Sequence, residues 1–426
     1  MPSLPRQLLI EPRVEHHALT DPVGALRQQL SAAWPSEDWS GRRVVVGVGS
    51  RGIDRIAEMA RALVGWLREQ GAEPIVIPAM GSHGGGTPDG QRELLASYGV
   101  TEHSIDAPID ASMDVVEVGQ QVEGVRVVIS AVALNADAVV LLNRVKPHTD
   151  FGSAVVGSGL VKMSAIGLGK AEGAFRCHWA AATRGHERVL AAVSRVVLGH
   201  LPRVYGVALV EDGSHRLAIV QPMRGAEFHD REPALLDTAR RWMPALPFAE
   251  VDVLVVDEIG KDISGTGMDT NIVGRGVDLQ PMPNRRSAVG AIYVRGLTPA
   301  SHGNAIGIGI ADIVSDRLVE AMDAHKTYTN AVSAMTPGTA RISIHFPTDR
   351  ECLRAALRVS GADPHAPRIV RIRHTLALDR IVASEAYAAD IGARLDLAVL
   401  VPPGPWRFDA DGNFDPATDL LAGVPA

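Results

Sequence analysis

The feature that most constrains the fold is a strand–helix–strand pattern near the start of the chain. The run RVVVGVG (43–49) is rich in β-branched residues, which is typical of a strand buried on both faces. An amphipathic stretch at 53–71 that closes on a glycine predicts a helix, and 74–80 predicts a second strand. Because a helix joins them, the two strands should be parallel, with a right-handed crossover.

The same alternation continues along the chain and restarts beyond 244–247. It predicts strands at 138–142, 251–260, 287–297 and 340–346, helices at 186–198, 312–325 and 351–359, a hairpin at 204–220 and a strand–helix element at 369–386. We therefore expect an α/β protein with two α/β lobes, mainly parallel sheets and an active-site cleft between the lobes. The expected division is 1–248, 249–390 and a C-terminal segment, 391–426, that returns to the first lobe.

Charge and cysteine content exclude several classes of protein. The net charge of −7 offers no overall basic field for nucleic acid or an anionic membrane. Two cysteines are too few for a disulfide scaffold, a four-thiolate zinc site or an iron–sulfur cluster held by this chain. The first thirty residues lack a continuous apolar stretch, so we expect a soluble cytoplasmic protein.

Polar side chains follow three of the predicted strands. Ser50 and Arg51 follow the first strand, His83 follows the second, and His148 follows the strand at 138–142. Ligands of open parallel sheets bind beyond the carboxyl ends of the strands, so these side chains should converge on one rim. Each of them alone also has a purely structural explanation.

The segment GSGLVKMSAIGLGKAEGAFRCH (157–178) is the most unusual in the chain. It is rich in glycine and small apolar residues, yet it carries Lys162, Lys170 and His178. A lysine in such surroundings loses its charge readily and suits covalent attachment to a carbonyl-type partner. The alternative is a solvated lysine whose stem packs on the glycine-rich helix.

Taken in order, these residues resemble the lactate racemase family, whose members use a nickel-pincer nucleotide. The resemblance rests on Arg51, on GSH with His83, on PH with His148, on Lys162 and on His178, and it spans roughly 43–180. It is looser in the second lobe, where VDVLVVDEIG and MDTNI agree.

The resemblance implies a cofactor, a reaction and a role for each residue. Lys162 would hold a pyridinium mononucleotide through a thioamide, and His178 would complete a square-planar nickel site. His83 and His148 would be the acid/base pair on opposite faces of a 2-hydroxy acid, and Arg51 would orient its carboxylate. The reaction would be racemisation or epimerisation by proton-coupled hydride transfer to the cofactor, which partner enzymes must build.

The resemblance also implies further contacts to the cofactor and to the substrate. Ser50 is a further expected cofactor contact, and Asp269 and Asn271 either bind the nucleotide or cap a helix. Departures from the family pattern after Asn271 leave Arg275 or Lys261 as replacements for a substrate-contacting lysine. They favour a 2-hydroxy acid larger or more polar than lactate, such as an aldonic or aromatic one.

Two other classes of function remain open at this point. One is a zinc-assisted hydrolase that uses His83, His148 and His178 as ligands, although no zinc signature such as HExxH is present. The other is a non-catalytic protein that binds a sugar acid or a nucleotide on the same scaffold.

Overall fold

The structure, a computed structural model that describes residues 4–50 and 52–421, divides into two units. The first unit comprises Glu15–His148 and Ser153–Met243. The second comprises Thr149–Gly152 and, as far as they are described, Met1–Val14 and Pro244–Ala426. Within the described ranges, none of the helices has the length and apolar character that crossing a bilayer requires.

The strands are β1 (Gln7–Pro12), β2 (Arg43–Val48), β3 (Glu73–Pro78), β4 (Val115–Val122), β5 (Val125–Ser130), β6 (Ala138–Arg144), β7 (Val204–Glu211), β8 (Leu217–Arg224), β9 (Glu250–Ile259), β10 (Ala288–Leu297), β11 (Ile313–Ser315), β12 (Ile344–Phe346), β13 (Ile369–Ile372), β14 (Ile381–Ser384) and β15 (Leu397–Gly404). The helices are α1 (Pro22–Ala33), α2 (Ile56–Glu69), α3 (Pro88–Ser97), α4 (Glu102–Ile105), α5 (Ala131–Leu134), α6 (Leu160–Lys162), α7 (Lys170–Arg184), α8 (His186–His200), α9 (Phe228–Trp242), α10 (Thr270–Val273), α11 (Asp316–Ala321), α12 (Ala324–Ser333), α13 (Asp349–Val359) and α14 (Ala388–Gly392).

A five-stranded sheet in the order β3-β2-β6-β7-β8 forms the centre of the first unit. β3, β2, β6 and β7 are parallel, and β8 is antiparallel to β7, with which it forms the hairpin that the sequence predicts. Along β2, the residues 44–48 are all buried, as expected for a strand covered on both faces. This sheet brings the carboxyl ends of β2, β3 and β6 side by side, which positions the site described below.

An eight-stranded sheet in the order β12-β11-β10-β9-β13-β14-β1-β15 forms the second unit. Its first five strands are parallel, and β14, β1 and β15 join in antiparallel pairs. This division of the chain differs from the predicted bounds, because β1 and β15 both belong to this sheet and so to the second unit. The apolar run LDLAVLV needs a hydrogen-bonding partner, and β1 supplies it through pairs such as Leu9 with Val401.

Two predicted elements of the second unit are wrong in type. The predicted helix at 312–325 begins as β11, because Ile313 and Val314 pair with Tyr293 and Val294 of β10 before α11 starts. The predicted strand–helix element at 369–386 is the antiparallel pair β13 and β14. In both places a tertiary partner decides the conformation of a short apolar run that sequence periodicity leaves ambiguous.

A buried carboxylate ties α13 to the sheet of the second unit. Asp349 is fully buried and accepts hydrogen bonds from Tyr293 Oη (2.5 Å), from Arg295 Nη2 (2.8 Å), from Arg317 and from the backbone of Phe414 (2.9 Å). Burial alone would raise the pKa of Asp349. The hydrogen bond and charge of Arg295 outweigh burial, so the pKa lies well below its usual range.

Replacing this carboxylate should destabilise the second unit. Asp349→Asn removes a fully buried anion that pairs with the largely buried Arg295, which keeps only Asp257, so we expect the free energy of unfolding at pH 7 to fall by about 3 kcal/mol in urea titrations. Because the folded pKa is depressed, the difference from wild type should be full above the ordinary pKa of 3.8 and shrink below it. Asp323→Asn, an exposed acid that also begins a helix, is the control and should change little. Equal stability of Asp349→Asn and wild type at pH 7 would contradict the assignment.

Candidate active site

A cavity in the first unit brings together several of the side chains that the sequence predicts to be functional. It contains about 670 Å³ of empty space, part of it open to solvent, and it lies at the carboxyl ends of β2, β3 and β6. It is lined by Gly49, Ser50, Ala79, Met80, Ser82, His83, Asn143, Arg144, Lys146, Ser158, Lys162, Met163, Ile166, Gly167 and His178. Four predicted site residues, Ser50, His83, Lys162 and His178, are therefore in its wall.

Ser50 and His83 come from neighbouring strand ends and contact each other. The Ser50 Oγ and His83 Nδ1 atoms are 2.6 Å apart, which is a short hydrogen bond. The loop that carries His83 is held by the buried Gln91, whose Nε2 donates to the carbonyl oxygens of Gly81 (2.8 Å) and His83 (3.2 Å). These contacts fix both the backbone and the orientation of the imidazole at the cavity wall.

Lys162 ends the single α-helical turn of α6, and a π-helical turn, Met163–Gly167, follows without interruption. Such π-helical turns are rare and are frequent at functional sites. The turn packs closely against the end of β3, since a Cβ on Gly167 would lie 2.5 Å from the carbonyl oxygen of Ala79. The small residues of this segment therefore allow Lys162 to sit directly beside the strand ends.

His178 lies on α7, the helix that follows the π-helical turn. Its ring is half-buried and lies 5.9 Å from the ring of His186, centroid to centroid, with the planes inclined at 66°. The neighbouring Cys177 is buried, and burial raises the pKa of its thiol to about 12. A buried, neutral thiol is a poor metal ligand, and metal binding by His178 stays a prediction.

The cavity favours an anionic ligand. Arg144, Lys146 and Lys162 are in its wall, and none of the described residues that line it is an aspartate or glutamate. Arg144 forms an ion pair with Glu211, which offsets part of this charge. Clustered cations of this kind bind carboxylate and phosphate groups.

Other predicted residues are not in this wall. His148 is buried, with 9% of its surface exposed, and does not line the cavity. Asp269 caps α10 and accepts hydrogen bonds from the backbone N–H and the Nδ2 of Asn271, both at 2.9 Å, so these contacts show the capping alternative. Arg51 lies outside the described residues.

The two side chains expected to replace the family's substrate-contacting lysine have partners within the second unit. Arg275 pairs with Asp312 at 2.7 Å, and Lys261 Nζ donates to the carbonyl oxygen of Gly265 at 2.8 Å. Neither contact tests a role in substrate binding, which stays a prediction.

Sequence reasoning assigned no role in this site to three residues that help to build it. Asn143 ends β6 and donates to the carbonyl oxygen of Gly159 (3.1 Å), and Glu232 of α9 accepts from the backbone of α6. Lys170 is fully buried and donates to the carbonyl oxygen of Pro78 at 2.8 Å. Glu232 did have a signal, because it is an acid on the apolar stripe of α9, with Phe228, Leu235 and Leu236.

Comparison with known proteins agrees with this geometry. Residues 40–186 match the model of the lactate racemase N-terminal domain. No curated protein is significantly similar to the chain. A solved structure from Thermotoga maritima is similar at a TM-score of 0.51 and 14% identity, over 76% of this chain and 84% of that one. The lactate racemase apoprotein from Thermoanaerobacterium thermosaccharolyticum is similar at a TM-score of 0.47 and 12% identity, over 82% and 91%.

The fold class follows from these observations. The chain is a mixed α/β protein with mainly parallel strands, which confirms the predicted class. Residues 40–186, the stretch that carries the residues lining the cavity, are similar to the lactate racemase N-terminal domain.

The buried Lys170 should make stability depend on pH. Burial lowers its pKa to about 8 from 10.5, so between these values the unfolded chain binds more protons and wild type should gain stability as pH rises. Lys170→Met removes this group, and we expect wild type to gain about 2 kcal/mol relative to the variant between pH 8 and pH 10.5. Urea titrations at both pH values measure this, with Lys326→Met, an exposed lysine, as the control. A difference that does not change with pH would contradict a buried, deprotonating Lys170.

Proposed function

We propose that this chain is a racemase or epimerase of a 2-hydroxy acid that works with a nickel-pincer nucleotide attached to Lys162. The observation that carries the proposal is the common cavity of Lys162, His178 and His83 in the part of the chain that matches the lactate racemase N-terminal domain. The family match supports racemase or epimerase activity in general. The cofactor and the substrate are part of the proposal.

The residues of the cavity fit such a cofactor chemically. Lys162 offers an amine for a thioamide bond, and His178 offers an imidazole, a ligand that suits nickel. The cations of the wall complement the phosphate of a mononucleotide. Among the described residues, no three His, Cys, Asp or Glu side chains are grouped to hold a metal ion by themselves. A metal held partly by the cofactor needs only one imidazole, whereas nothing observed favours the zinc hydrolase or the binding protein.

When bound, the cofactor would supply the hydride acceptor and donor that no side chain provides. The chain's own task is then to bind the acid and to move the hydroxyl proton. His83 would accept the proton from the substrate hydroxyl and return it, since a neutral imidazole with an ordinary pKa near 6.5 suits both steps. Ser50 would hold the ring of His83 in place through Nδ1.

The remaining roles stay predictions. His148 is proposed as the second acid/base group, because a racemase must act on both faces of its substrate. Arg51 is proposed to bind the substrate carboxylate, and Asp269 and Asn271 remain candidates for the nucleotide. The proposed substrate is larger or more polar than lactate, an aldonic or aromatic 2-hydroxy acid.

The first test is the mass of the peptide that contains Lys162, from protein made together with the cofactor-building enzymes. We expect a nucleotide-sized mass increase on Lys162, near-stoichiometric nickel and no increase on Lys326 in the same digest. His178→Ala should lose the nickel because it removes the protein's metal ligand, while Lys162→Arg should lose the adduct. An unmodified Lys162, in cells that load a known family member, would contradict the proposal.

The acid/base role is tested on loaded protein with a panel of 2-hydroxy acids and chiral chromatography. His83→Asn should lower kcat by about 10²–10⁴, the usual contribution of a general acid/base group, with the Lys162 adduct intact. Ser50→Ala removes only the contact that orients the ring, so we expect a loss of about tenfold. His103→Asn, a surface histidine, is the control. Full activity of His83→Asn would exclude His83 as the base.

A further inference from the structure

Glu232 makes an unusual contact with the segment that carries Lys162. It lies on α9 and is fully buried, and its Oε2 accepts the backbone N–H groups of Leu160 (2.5 Å) and Val161 (3.1 Å). The first N–H groups of a helical turn have no acceptor within the turn. The preceding residue is Gly159, which has no side chain to cap them. The Glu232 carboxylate, from a helix distant in the sequence, therefore caps the N-terminus of the turn that ends at Lys162.

Gly159 and Glu232 fit each other closely. A Cβ on Gly159 would lie 2.5 Å from both Cδ and Oε1 of Glu232, so only glycine leaves room for the carboxylate. The carbonyl oxygen of Gly159 is held from the other side by Asn143 Nδ2 at 3.1 Å. The backbone just before Lys162 is thus fixed between the end of β6 and the middle of α9.

α9 is also linked to the same segment at a second point, through Ser194 of α8. Ser164 Oγ donates to the carbonyl oxygen of Val161 (2.8 Å) and lies 2.8 Å from Ser194 Oγ, which lies 3.1 Å from His229 Nε2. His229 and Glu232 are three residues apart on α9, so both face the segment from one side of the helix. α9 therefore contacts the segment directly at Leu160 and Val161, before Lys162, and reaches Ser164, after Lys162, only through Ser194 of α8.

Burying the carboxyl group of Glu232 costs free energy, so this residue does more than fill space in the core. Its Oε1 is buried and has no hydrogen-bond partner, which is expensive for a carboxyl oxygen. Burial raises the pKa of Glu232 to about 7, although the two backbone N–H groups oppose this. Both protonation states keep an oxygen that can accept these N–H groups.

We propose that Glu232 is a positioning residue for Lys162: it fixes the first turn of the segment so that the Lys162 amine stands at the cavity wall for covalent attachment. This rests on the proposed function, in which Lys162 carries the cofactor. Glu232 does not touch the cavity itself and acts only through the backbone of Leu160 and Val161.

The test compares two variants of nearly equal volume. Glu232→Gln keeps an oxygen that accepts the two N–H groups, and Glu232→Met keeps the volume but offers no acceptor. Leu235→Ala, a buried apolar truncation on the same helix, controls for general loss of stability. Each protein is examined without cofactor by amide hydrogen exchange and with the cofactor-building enzymes by the mass of the Lys162 peptide.

In hydrogen exchange, Glu232→Met should raise the exchange rate of the Leu160 and Val161 amides about tenfold or more, because each loses a bond to a charged acceptor. Glu232→Gln should stay within about threefold of wild type, and Leu235→Ala should not single out these two amides. Rates in Glu232→Met equal to wild type would overturn the proposal.

In the mass measurement, Glu232→Met should carry the adduct on a severalfold smaller fraction of Lys162 than Glu232→Gln, wild type or Leu235→Ala. Equal loading of Glu232→Met and wild type would overturn the positioning role and leave the proposed function standing. Faster exchange in Glu232→Met together with an unmodified Lys162 in wild type would instead contradict the proposed function, and the positioning role with it.

Discussion

The site depends on how a buried helical turn that starts at a glycine satisfies its first backbone N–H groups. Because Gly159 offers no side chain, the acceptor comes from Glu232, some seventy residues later in the chain. The same missing side chain provides the space that the carboxylate fills. The loop before the turn can then approach the end of β6, where Asn143 holds it. The buried backbone N–H groups need an acceptor, and only a glycine at position 159 leaves room for the carboxylate that supplies it. Together these two requirements fix the backbone just before Lys162.

The strand ends and the helical segment that packs on them contribute different residues to the site. The parallel strands β2 and β3 end at one edge, where Ser50 and His83 lie 2.6 Å apart on neighbouring loops. Lys162 and His178 come from the π-helical turn and the helix after it, which pack on that edge. A group that bonded to Lys162 and His178 would thus face His83 across a cavity of cationic character. The sheet thereby fixes the position of His83 relative to the segment that carries Lys162 and His178, as the proposed acid/base chemistry requires.

The sequence predicts local elements well and long-range contacts poorly. The runs at 43–49 and 74–80 become β2 and β3, because continuous apolar stretches around an amphipathic helix have few alternatives. The convergence of Ser50 and His83 follows from the parallel strands that precede them, whereas Lys162 and His178 were placed with them only by the family resemblance. β14 was missed, and a helix predicted in its place, because only its pairing with β13 and β1 decides its conformation. Glu232 was missed because it stands in HDRE, a sequence typical of an exposed helical face, and its partner lies in a distant segment.

The contrast between Lys162 and Lys170 shows what packing adds to composition. Both stand in one glycine-rich segment, and the sequence assigns either of them an unusual environment. Lys170 is fully buried at a left-handed φ of 54°, and its Nζ donates to Pro78 at the end of β3. Lys162 instead lines the cavity. Burial lowers the pKa of Lys170 but also keeps its amine away from any ligand in the cavity. The amine of Lys170 therefore ties the segment to the sheet, whereas the amine of Lys162 is at the cavity wall. Reactivity of a lysine requires access as well as a changed pKa, and only the fold separates the two.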